Sequence, residues 1–316
     1  MKLLRRRPAT TTAAPEPVLG GLRQGTGPVT TTADGGPGHG TAPTARIAVE
    51  DLTVTFGHGS RAHTALHGVT LCVAPGTALG VVGESGSGKS TLARTVVGLV
   101  RPRAGRVLVD GQDVVGLRGA ALTRMRRRVQ LVPQDPNASL NPRMTVGRAV
   151  AEAIDPVRAD TRRYAADVAR WLETVALDPD AADRYPHEFS GGQRQRIAVA
   201  RALAAEPEVV IADEVTSSLD CSVQAEVLNL LADLRVRLSL TLLFISHDLA
   251  VVRHVCDEVA VMHRGRVVEH GPCAEVYREP EHPYTRRLFD SIPALAPLPD
   301  ENGRPGTPPD HEDRNR

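Results

Sequence analysis

The segment that most constrains the fold is a glycine-rich loop, Gly83-Glu84-Ser85-Gly86-Ser87-Gly88-Lys89-Ser90, which has the pattern GxxxxGK[ST]. It follows the short apolar run Ala78–Val82, a predicted buried strand, and it precedes Thr91–Val100, a predicted helix. Glycines in such a loop let backbone N–H groups turn toward phosphate oxygens, and the helix adds the positive end of its dipole. An ordinary glycine turn would not require this order of strand, loop and helix. The pattern therefore predicts a nucleotide site on an α/β fold.

Two side chains of this loop have the chemistry that a magnesium nucleotide requires. Lys89 provides a compact positive charge between the β- and γ-phosphates, and the Ser90 hydroxyl is a ligand for Mg²⁺. Lys89 also stands out in composition, because the chain has 38 basic residues and only Lys2 and Lys89 among them are lysines. We expect the whole loop and the following Thr91 to contact ATP.

A pair of carboxylates follows another apolar run, Val209–Ala212. Asp213 beside the phosphate loop would hold Mg²⁺, and Glu214 would orient the attacking water as a general base. Acidic pairs after strands are common, so the assignment depends on the presence of the loop. Together, the loop and the pair predict hydrolysis of ATP.

The remaining pattern alternates strands and helices between two polar ends. Short β-branched runs indicate strands that are buried on both faces, as in a parallel sheet. The further predicted strands are Ile47–Phe56, Val69–Val73, Val107–Val109, Val129–Val132, Leu242–Ile245, Val259–Met262 and Val267–Glu269. Residues 140–206 have helical spacing and few strand signals, which indicates a helical insertion within the α/β domain.

The two ends of the chain lack core-forming residues. Residues 1–44 are rich in Thr, Pro, Gly and Ala, and residues 293–316 are rich in Pro. Such segments cannot bury enough apolar surface to offset the entropy of ordering, so we predict both to be disordered tails. The predicted ordered domain spans residues 45–292.

Charge, cysteine content and hydropathy exclude several classes of function. The net charge of +1 gives no basic excess for nucleic acid as the main partner. The four cysteines form no CxxC pair, which disfavours a zinc site and indicates a reducing compartment. No apolar run reaches the ~18–20 residues that a membrane span needs. We expect a soluble protein whose work at any membrane goes through partners.

The segment Ser190-Gly191-Gly192-Gln193 begins an Arg/Gln-rich run and predicts a helix that is capped by Ser190. SGGQ followed by such a helix resembles the signature of ABC ATPases. The resemblance covers roughly residues 46–293, and the phosphate loop, the signature and the Asp213-Glu214 pair occur in the family's order. It implies the P-loop ABC ATPase fold: a RecA-like mixed sheet, an antiparallel β subdomain and an inserted helical subdomain at about 136–206.

Further site residues follow from this resemblance. Gln134 is similar to the glutamine of the loop that senses Mg²⁺ and contacts the membrane subunits. Asp220 ends a segment similar to the family's D-loop, and His247 is similar to its switch histidine. Phe56 stands where the family places an aromatic that stacks on adenine, although a core Phe is the competing interpretation.

The family pattern also implies an assembly. Two ATPase subunits, of the same or different chains, pair head to tail, and the signature Ser190, Gly191, Gly192 and Gln193 of each faces the γ-phosphate that the other holds. Two membrane permeases complete the transporter, and an extracytoplasmic solute-binding protein participates indirectly. The resemblance thus implies ATP hydrolysis coupled to solute import, whereas the alternative is an ABC-type ATPase that acts on ribosomes or DNA.

A finer resemblance concerns the transported solute. Asn137–Val146 after the glutamine loop and His282–Arg286 near the end are similar to the oligopeptide, dipeptide and nickel importers. That branch implies a C-terminal extension at about 270–292. Val215 and Ser218 depart from the family pattern, in which Pro and Ala are usual, and both lie close to Glu214.

Overall fold

The structure is a computed structural model that describes residues 45–217 and 219–291, apart from the side chains of Ser60 and Cys221. The predicted tails, 1–44 and 293–316, lie outside the described residues, and so does Ser218.

The described chain alternates strands with helices. Its strands are β1 Ile47–Phe56, β2 His63–Val73, β3 Ala78–Val82, β4 Ala104–Val109, β5 Gln112–Asp113, β6 Val129–Val132, β7 Val209–Asp213, β8 Thr241–Ile245, β9 Glu258–His263 and β10 Arg266–Pro272. Its α-helices are α1 Lys89–Val96, α2 Gly119–Arg128, α3 Val146–Ile154, α4 Ala165–Thr174, α5 Gly191–Leu203, α6 Cys221–Leu238, α7 Leu249–Val255, α8 Cys273–Arg278 and α9 Pro283–Asp290. Short 3₁₀ turns lie at Gly59–Arg61, Pro136–Ala138, Pro179–Asp183 and Pro186–Glu188.

Two sheets carry the architecture. A four-stranded antiparallel sheet has the order β2-β1-β4-β5, and a six-stranded sheet has the order β10-β9-β3-β8-β7-β6. In the larger sheet β9, β3, β8, β7 and β6 run parallel, and β10 pairs antiparallel with β9. The predicted α/β fold with a mixed sheet and an antiparallel β subdomain is confirmed.

The larger sheet is buried on both faces, and successive residues of its strands serve different cores. In β7, Val210 and Ala212 join the core beneath the helices, whereas Val209 and Ile211 join the core shared with the antiparallel sheet. The same alternation holds in β3, β8 and β9. A strand that is apolar at every position is stable only in such a place.

The helical insertion comprises α3, α4 and α5, and each of these helices contributes an apolar face to one core. The side chains of Thr145 and Ser190 cap α3 and α5, as expected of Ser and Thr before a helix. Trp171 and Leu172 of α4 are buried in this core together with Phe189. The structure therefore places helices where the sequence predicted helical spacing and few strands.

Most element boundaries differ from the predicted ones by a few residues. The strands β1, β3 and β6 have the predicted bounds, but β2 begins at His63 rather than Val69, and β5 was not predicted. The helix predicted over Thr91–Val100 starts at Lys89 and ends at Val96. It ends early because Gly98 adopts the left-handed conformation, φ 70°, which stops the helical hydrogen bonds.

No helix among the described residues combines the length and the apolar character that crossing a membrane requires.

An ionic network joins the start of β1, the β4–β5 turn, the end of α2 and the segment before β7. Arg46 binds Asp110 at 2.7 Å and also contacts Glu208. Arg128 binds Glu208 at 2.8 Å and also contacts Asp110. Two cations and two anions thus alternate, so that each charge has an opposite neighbour on both sides. The hydrogen bond from Arg128 holds the pKa of Glu208 below its ordinary value.

We expect Glu208→Gln to lower the free energy of unfolding at pH 7 by about 1 kcal/mol or less, because the network is partly exposed. The pKa of Glu208 is lower in the folded chain, so its contribution is fully present above the unfolded pKa of about 4.3. It disappears as the pH falls through the folded pKa. Urea unfolding of the wild type and of Glu208→Gln at a series of pH values measures the difference in their free energies of unfolding.

The control is Glu173→Gln, because Glu173 is exposed and forms no ion pair with any other described residue. The control is expected to unfold like the wild type throughout. The stabilising role of the network would be contradicted if the wild type and Glu208→Gln had the same free energy of unfolding at pH 7, or if their difference were equally large in acid.

Candidate nucleotide site at the strand ends

The predicted site residues gather at the carboxyl ends of three neighbouring parallel strands. The phosphate loop, residues 83–90, follows β3; Asp213 ends β7 and Glu214 follows it; and His247 lies two residues after β8. Open α/β sheets bind ligands at this edge, because loops there are free of the sheet's own hydrogen bonds. A cleft of about 440 Å³ opens over this edge.

Lys89 is the buried cation of the phosphate loop. Its ammonium donates to the carbonyl oxygens of Gly83 at 2.7 Å and of Glu84 at 2.9 Å. Burial lowers the pKa of this ammonium, and the nearby carboxylates of Glu214 and Asp213 act in the opposite direction. The loop therefore wraps around its own lysine and holds a positive charge at the floor of the cleft.

The glycines of the loop are required by space and by conformation. A Cβ at Gly83 would lie 2.1 Å from the carbonyl oxygen of Met262, and one at Gly88 would lie 2.8 Å from that of Ala65. Gly88 also has φ 106° and precedes α1 without any side-chain cap. The first N–H groups of α1 thus remain available to a ligand.

Ser90 and Asp213 meet at the base of the cleft. The Ser90 hydroxyl donates to Oδ1 of Asp213 at 3.0 Å. Burial raises the pKa of the Asp213 carboxyl, and the hydrogen bond from Ser90 opposes that effect. These two oxygen-bearing groups converge as the sequence pattern predicts.

Glu214 occupies a strained backbone position, with φ 50°, just after β7. Its amide donates to the carbonyl oxygen of Ile245 in β8 at 2.9 Å, which fixes the turn against the neighbouring strand. Oε2 of Glu214 lies 3.5 Å from Nδ1 of His247. Val215, one of the departures from the family pattern, is buried directly behind this turn.

Gln134 lies at the rim of the cleft and is tied to the segment after Glu214. Its side-chain amide donates to Oγ of Ser217 at 3.1 Å, and that hydroxyl donates to the carbonyl oxygen of Glu214 at 3.0 Å. Ser217 was not among the predicted site residues. It was missed because its contact with Gln134 joins residues 83 positions apart, and local sequence cannot reveal such a contact.

Several of the predicted residues line the cleft. Phe56 is 45% exposed there, so the competing interpretation of a core Phe is wrong. The other predicted residues on the lining are Ser85, Gly86, Gly88, Lys89, Ser90, Thr91, Gln134 and Glu214. His63 and Ala65 line it too, although the sequence analysis missed them. Pairing of His63 with Phe56 across the β1–β2 hairpin explains the position of His63.

The signature residues lie elsewhere. Ser190 and Gln193 form a reciprocal capping box at the start of α5, and Asp220 caps α6. Gly192 packs against α6 so closely that a Cβ there would lie 2.1 Å from Cγ1 of Val223. Neither this segment nor Asp220 lines the cleft, so the chain's own cleft contains only part of the predicted site.

One further contact reaches the phosphate loop from the C-terminal helix. The amide of Glu84 donates to the hydroxyl of Tyr284 in α9 at 3.2 Å. The sequence analysis used Tyr284 only as part of a family motif and did not assign it to the site.

The residues fit a magnesium nucleotide. A buried ammonium, the uncapped N-terminus of α1 and a loop with no room for a Cβ at Gly83 or Gly88 suit a polyphosphate. Ser90, Asp213 and Gln134 offer the oxygen ligands that Mg²⁺ prefers. Among the described residues, no group of three or more His, Cys, Asp or Glu could hold a metal ion.

Comparison with known families agrees with this geometry. Residues 66–217 match the ABC transporter family, and residues 268–316 match the C-terminal region of the oligopeptide/dipeptide transporter family.

Curated relatives cover most of the chain. A peptide import ATP-binding protein of Brucella ovis is 48% identical over 252 residues, which are 79% of this chain and 80% of the relative. A peptide ABC transporter ATP-binding protein of Sinorhizobium fredii is 50% identical, over 75% of this chain and 66% of the relative. A glutathione import ATP-binding protein of Pectobacterium atrosepticum is 49% identical, over 71% of this chain and 36% of the relative.

Solved structures show the same fold. The cbiO1 protein of Clostridium perfringens, part of the transporter complex cbiONQ, has a TM-score of 0.65 and 29% identity, and the match covers 75% of this chain and 92% of cbiO1. The dimeric cassette MJ0796 bound to ADP and Pi has a TM-score of 0.63 and 28% identity, over 72% of this chain and 98% of the cassette. The chain is therefore an ATP-binding, ATP-hydrolysing member of the ABC transporter family, with the C-terminal region of the oligopeptide/dipeptide branch.

Proposed function

We propose that this chain hydrolyses MgATP to drive import of oligopeptides, dipeptides or a related solute, as a peripheral subunit on the cytoplasmic face of the membrane. The observation that carries the proposal is the convergence of Lys89, Asp213, Glu214 and His247 at one sheet edge. The match of the C-terminal region and the names of the relatives support the class of solute.

The loop and the strand ends divide the work of binding. Lys89 neutralises the β- and γ-phosphates, while the N–H groups of the loop and of α1 donate to phosphate oxygens. Phe56, exposed on the cleft wall, stacks on the adenine ring. Ser90, Asp213 and Gln134 would hold Mg²⁺, which would supply positive charge beside the phosphates.

Glu214 is placed to act on the attacking water. Its carboxylate accepts the water proton as a general base, and His247 beside it orients the water and the γ-phosphate. The strained backbone at Glu214 keeps the carboxylate pointing from the strand end into the cleft.

A second ATPase subunit, the same chain or a different one, completes the site. Ser190, Gly191, Gly192 and Gln193 do not line this chain's own cleft, although their helix begins with the positive end of its dipole. We propose that they face the nucleotide of the partner subunit, together with Asp220. The nucleotide then joins the two subunits until hydrolysis releases them.

The permeases dock on the segment after Gln134. Residues 137–142 and Met144 line a groove of about 320 Å³ with Ala149 and Glu152 of α3 and Arg201 of α5. The proposed helical subdomain at about 136–206 forms this surface within an ATPase domain of 45–292. The groove segment follows Gln134 directly along the chain, and this connects the groove to the nucleotide site. A solute-binding protein acts through the permeases.

The alternative of an ATPase that acts on ribosomes or DNA has no feature of the described chain in its favour. The Brucella ovis and Pectobacterium atrosepticum relatives are named import ATP-binding proteins, and the Sinorhizobium fredii relative is named a peptide ABC transporter ATP-binding protein.

Removing the lysine tests the phosphate loop. We expect Lys89→Ala to abolish measurable ATP binding, because no other lysine is present among the described residues and the polyphosphate would lose its buried counter-charge. Lys89→Arg should fail too, since a planar guanidinium does not replace a compact ammonium. Equilibrium titration with a fluorescent ATP analogue measures the affinity, and wild-type affinity in Lys89→Ala would refute the assignment.

Replacing the proposed base tests the chemistry. Glu214→Gln should lower the rate of hydrolysis about 10²–10⁴-fold while ATP binding is retained, because only proton acceptance is lost. With unhydrolysed MgATP the variant should remain associated as a dimer in size-exclusion chromatography. Normal hydrolysis, or a variant that stays monomeric at saturating MgATP, would argue against the role.

Substitutions in the groove segment test coupling to transport. Arg143→Ala with Met144→Ala should leave ATP binding unchanged but lower transport per ATP hydrolysed in vesicles that contain the complete transporter. The control pair is Val236→Ala with Arg237→Ala at the end of α6, because these residues precede β8 and so lie toward the opposite edge of the sheet. If transport per ATP hydrolysed were the same in the two double variants, the permease surface would lie elsewhere.

A further inference from the structure

The peptide unit between Gly83 and Glu84 is held from both of its ends. Its carbonyl oxygen, which belongs to Gly83, accepts the Lys89 ammonium at 2.7 Å. Its N–H, which belongs to Glu84, donates to the Tyr284 hydroxyl at 3.2 Å. Because the C=O and N–H of a trans peptide lie in one plane and point in opposite directions, Lys89 and Tyr284 bind opposite edges of this peptide.

The ring of Tyr284 is fixed independently of this hydrogen bond. It is 4% exposed and stacks on the imidazole of His263, with ring centroids 4.0 Å apart and an interplanar angle of 20°. His263 ends β9, which pairs with β3, the strand that leads into the phosphate loop. The ring that carries the hydroxyl is therefore packed against the end of a neighbouring strand of the same sheet.

The backbone around Tyr284 is anchored as well. His282 caps α9, its Nδ1 accepting the amide of Tyr284 at 3.1 Å. The carboxylate of Glu269 in β10 accepts the amides of Glu281 at 2.8 Å and His282 at 3.0 Å. These bonds tie the start of α9 to the edge strand of the large sheet. Tyr284 is thus set in place by the C-terminal region, not by the loop that it contacts.

The Tyr284 hydroxyl restrains a peptide whose orientation the loop itself leaves open. Gly83 has φ 148° and no side chain, so this residue places little restraint on the orientation of the peptide that follows it. If the Tyr284 oxygen were absent, the Glu84 N–H would lose this acceptor. Rotation of the peptide would then turn the Gly83 carbonyl away from the Lys89 ammonium.

We propose that Tyr284 is a positioning residue of the nucleotide site: its hydroxyl fixes the Gly83–Glu84 peptide and thereby holds the Lys89 ammonium where the nucleotide phosphates bind. The inference rests on the proposed role of Lys89 and extends it to the C-terminal region. That region is then a working part of the nucleotide site in this chain, in addition to any other role.

The variant Tyr284→Phe tests the proposal in the full chain, because it keeps the ring on His263 and removes only the acceptor. Loss of one hydrogen bond should weaken binding of a fluorescent ATP analogue about three- to tenfold. The rate at saturating ATP should stay within about twofold, since Lys89 contacts the phosphates both before and during the reaction. Equilibrium titration and steady-state hydrolysis measure the two effects separately.

Tyr277→Phe is a matched control from the same region. Tyr277 in α8 stacks on Phe289 at 4.7 Å and donates its hydroxyl to the carbonyl oxygen of Leu249 at 2.7 Å. The control loses a comparable hydrogen bond away from the phosphate loop, so it should lower the melting temperature at least as much and leave ATP affinity within twofold. Equal losses of affinity in both variants, or an unchanged affinity in Tyr284→Phe, would overturn the proposal.

Hydrogen exchange gives a direct readout of the peptide itself. Mass spectrometry of the fragment that contains residues 83–89 should show faster exchange in Tyr284→Phe than in the wild type or Tyr277→Phe. Equal exchange in all three would overturn the proposal. Lys89→Ala separates the two hypotheses: wild-type ATP affinity in that variant refutes the phosphate-loop assignment, whereas a normal Tyr284→Phe beside a defective Lys89→Ala refutes only the role of Tyr284.

Discussion

The parallel sheet is buried on both faces, and this burial decides where polar groups can lie. The strands β3, β7 and β8 are buried along their whole length, with alternate side chains in two different cores. Polar groups cannot be placed along such strands without losing hydrogen bonds to water. They accumulate where the strands end, and the carboxyl ends of parallel strands lie at one edge. The cleft and its chemistry follow from that arrangement.

The same edge solves the problem of keeping a lysine partly buried. The Lys89 ammonium is desolvated, and the loop carbonyls of Gly83 and Glu84 with the carboxylates of Asp213 and Glu214 offset that cost. A nucleotide that enters the cleft meets a positive charge already oriented by the backbone. Preorganised charge of this kind needs little rearrangement when a ligand binds.

The chain divides its site among distant segments. The signature at the start of α5 lies outside the cleft, which fits a protein whose subunits pair. The MJ0796 cassette, which has the same fold, was solved as a dimer. The C-terminal region reaches the phosphate loop through Tyr284. The segment after Gln134 joins the cleft to the groove in the helical insertion. Each link offers a route by which a neighbouring element affects the nucleotide.

The class of fold was predictable from the sequence, and the structure confirms it. Short motifs and the ends of apolar runs pointed to the phosphate loop, Asp213 and Glu214 as site residues, and the family resemblance pointed to Gln134. Strand limits such as the start of β2 at His63 were not predictable, since pairing with β1 and not local composition extends that strand. Only the tertiary structure decided that Ser217 meets Gln134 and that Tyr284 meets Glu84, 200 positions away. The physical reason is that such contacts depend on how packed elements bring distant backbones together, and residue type alone carries no signal for that distance.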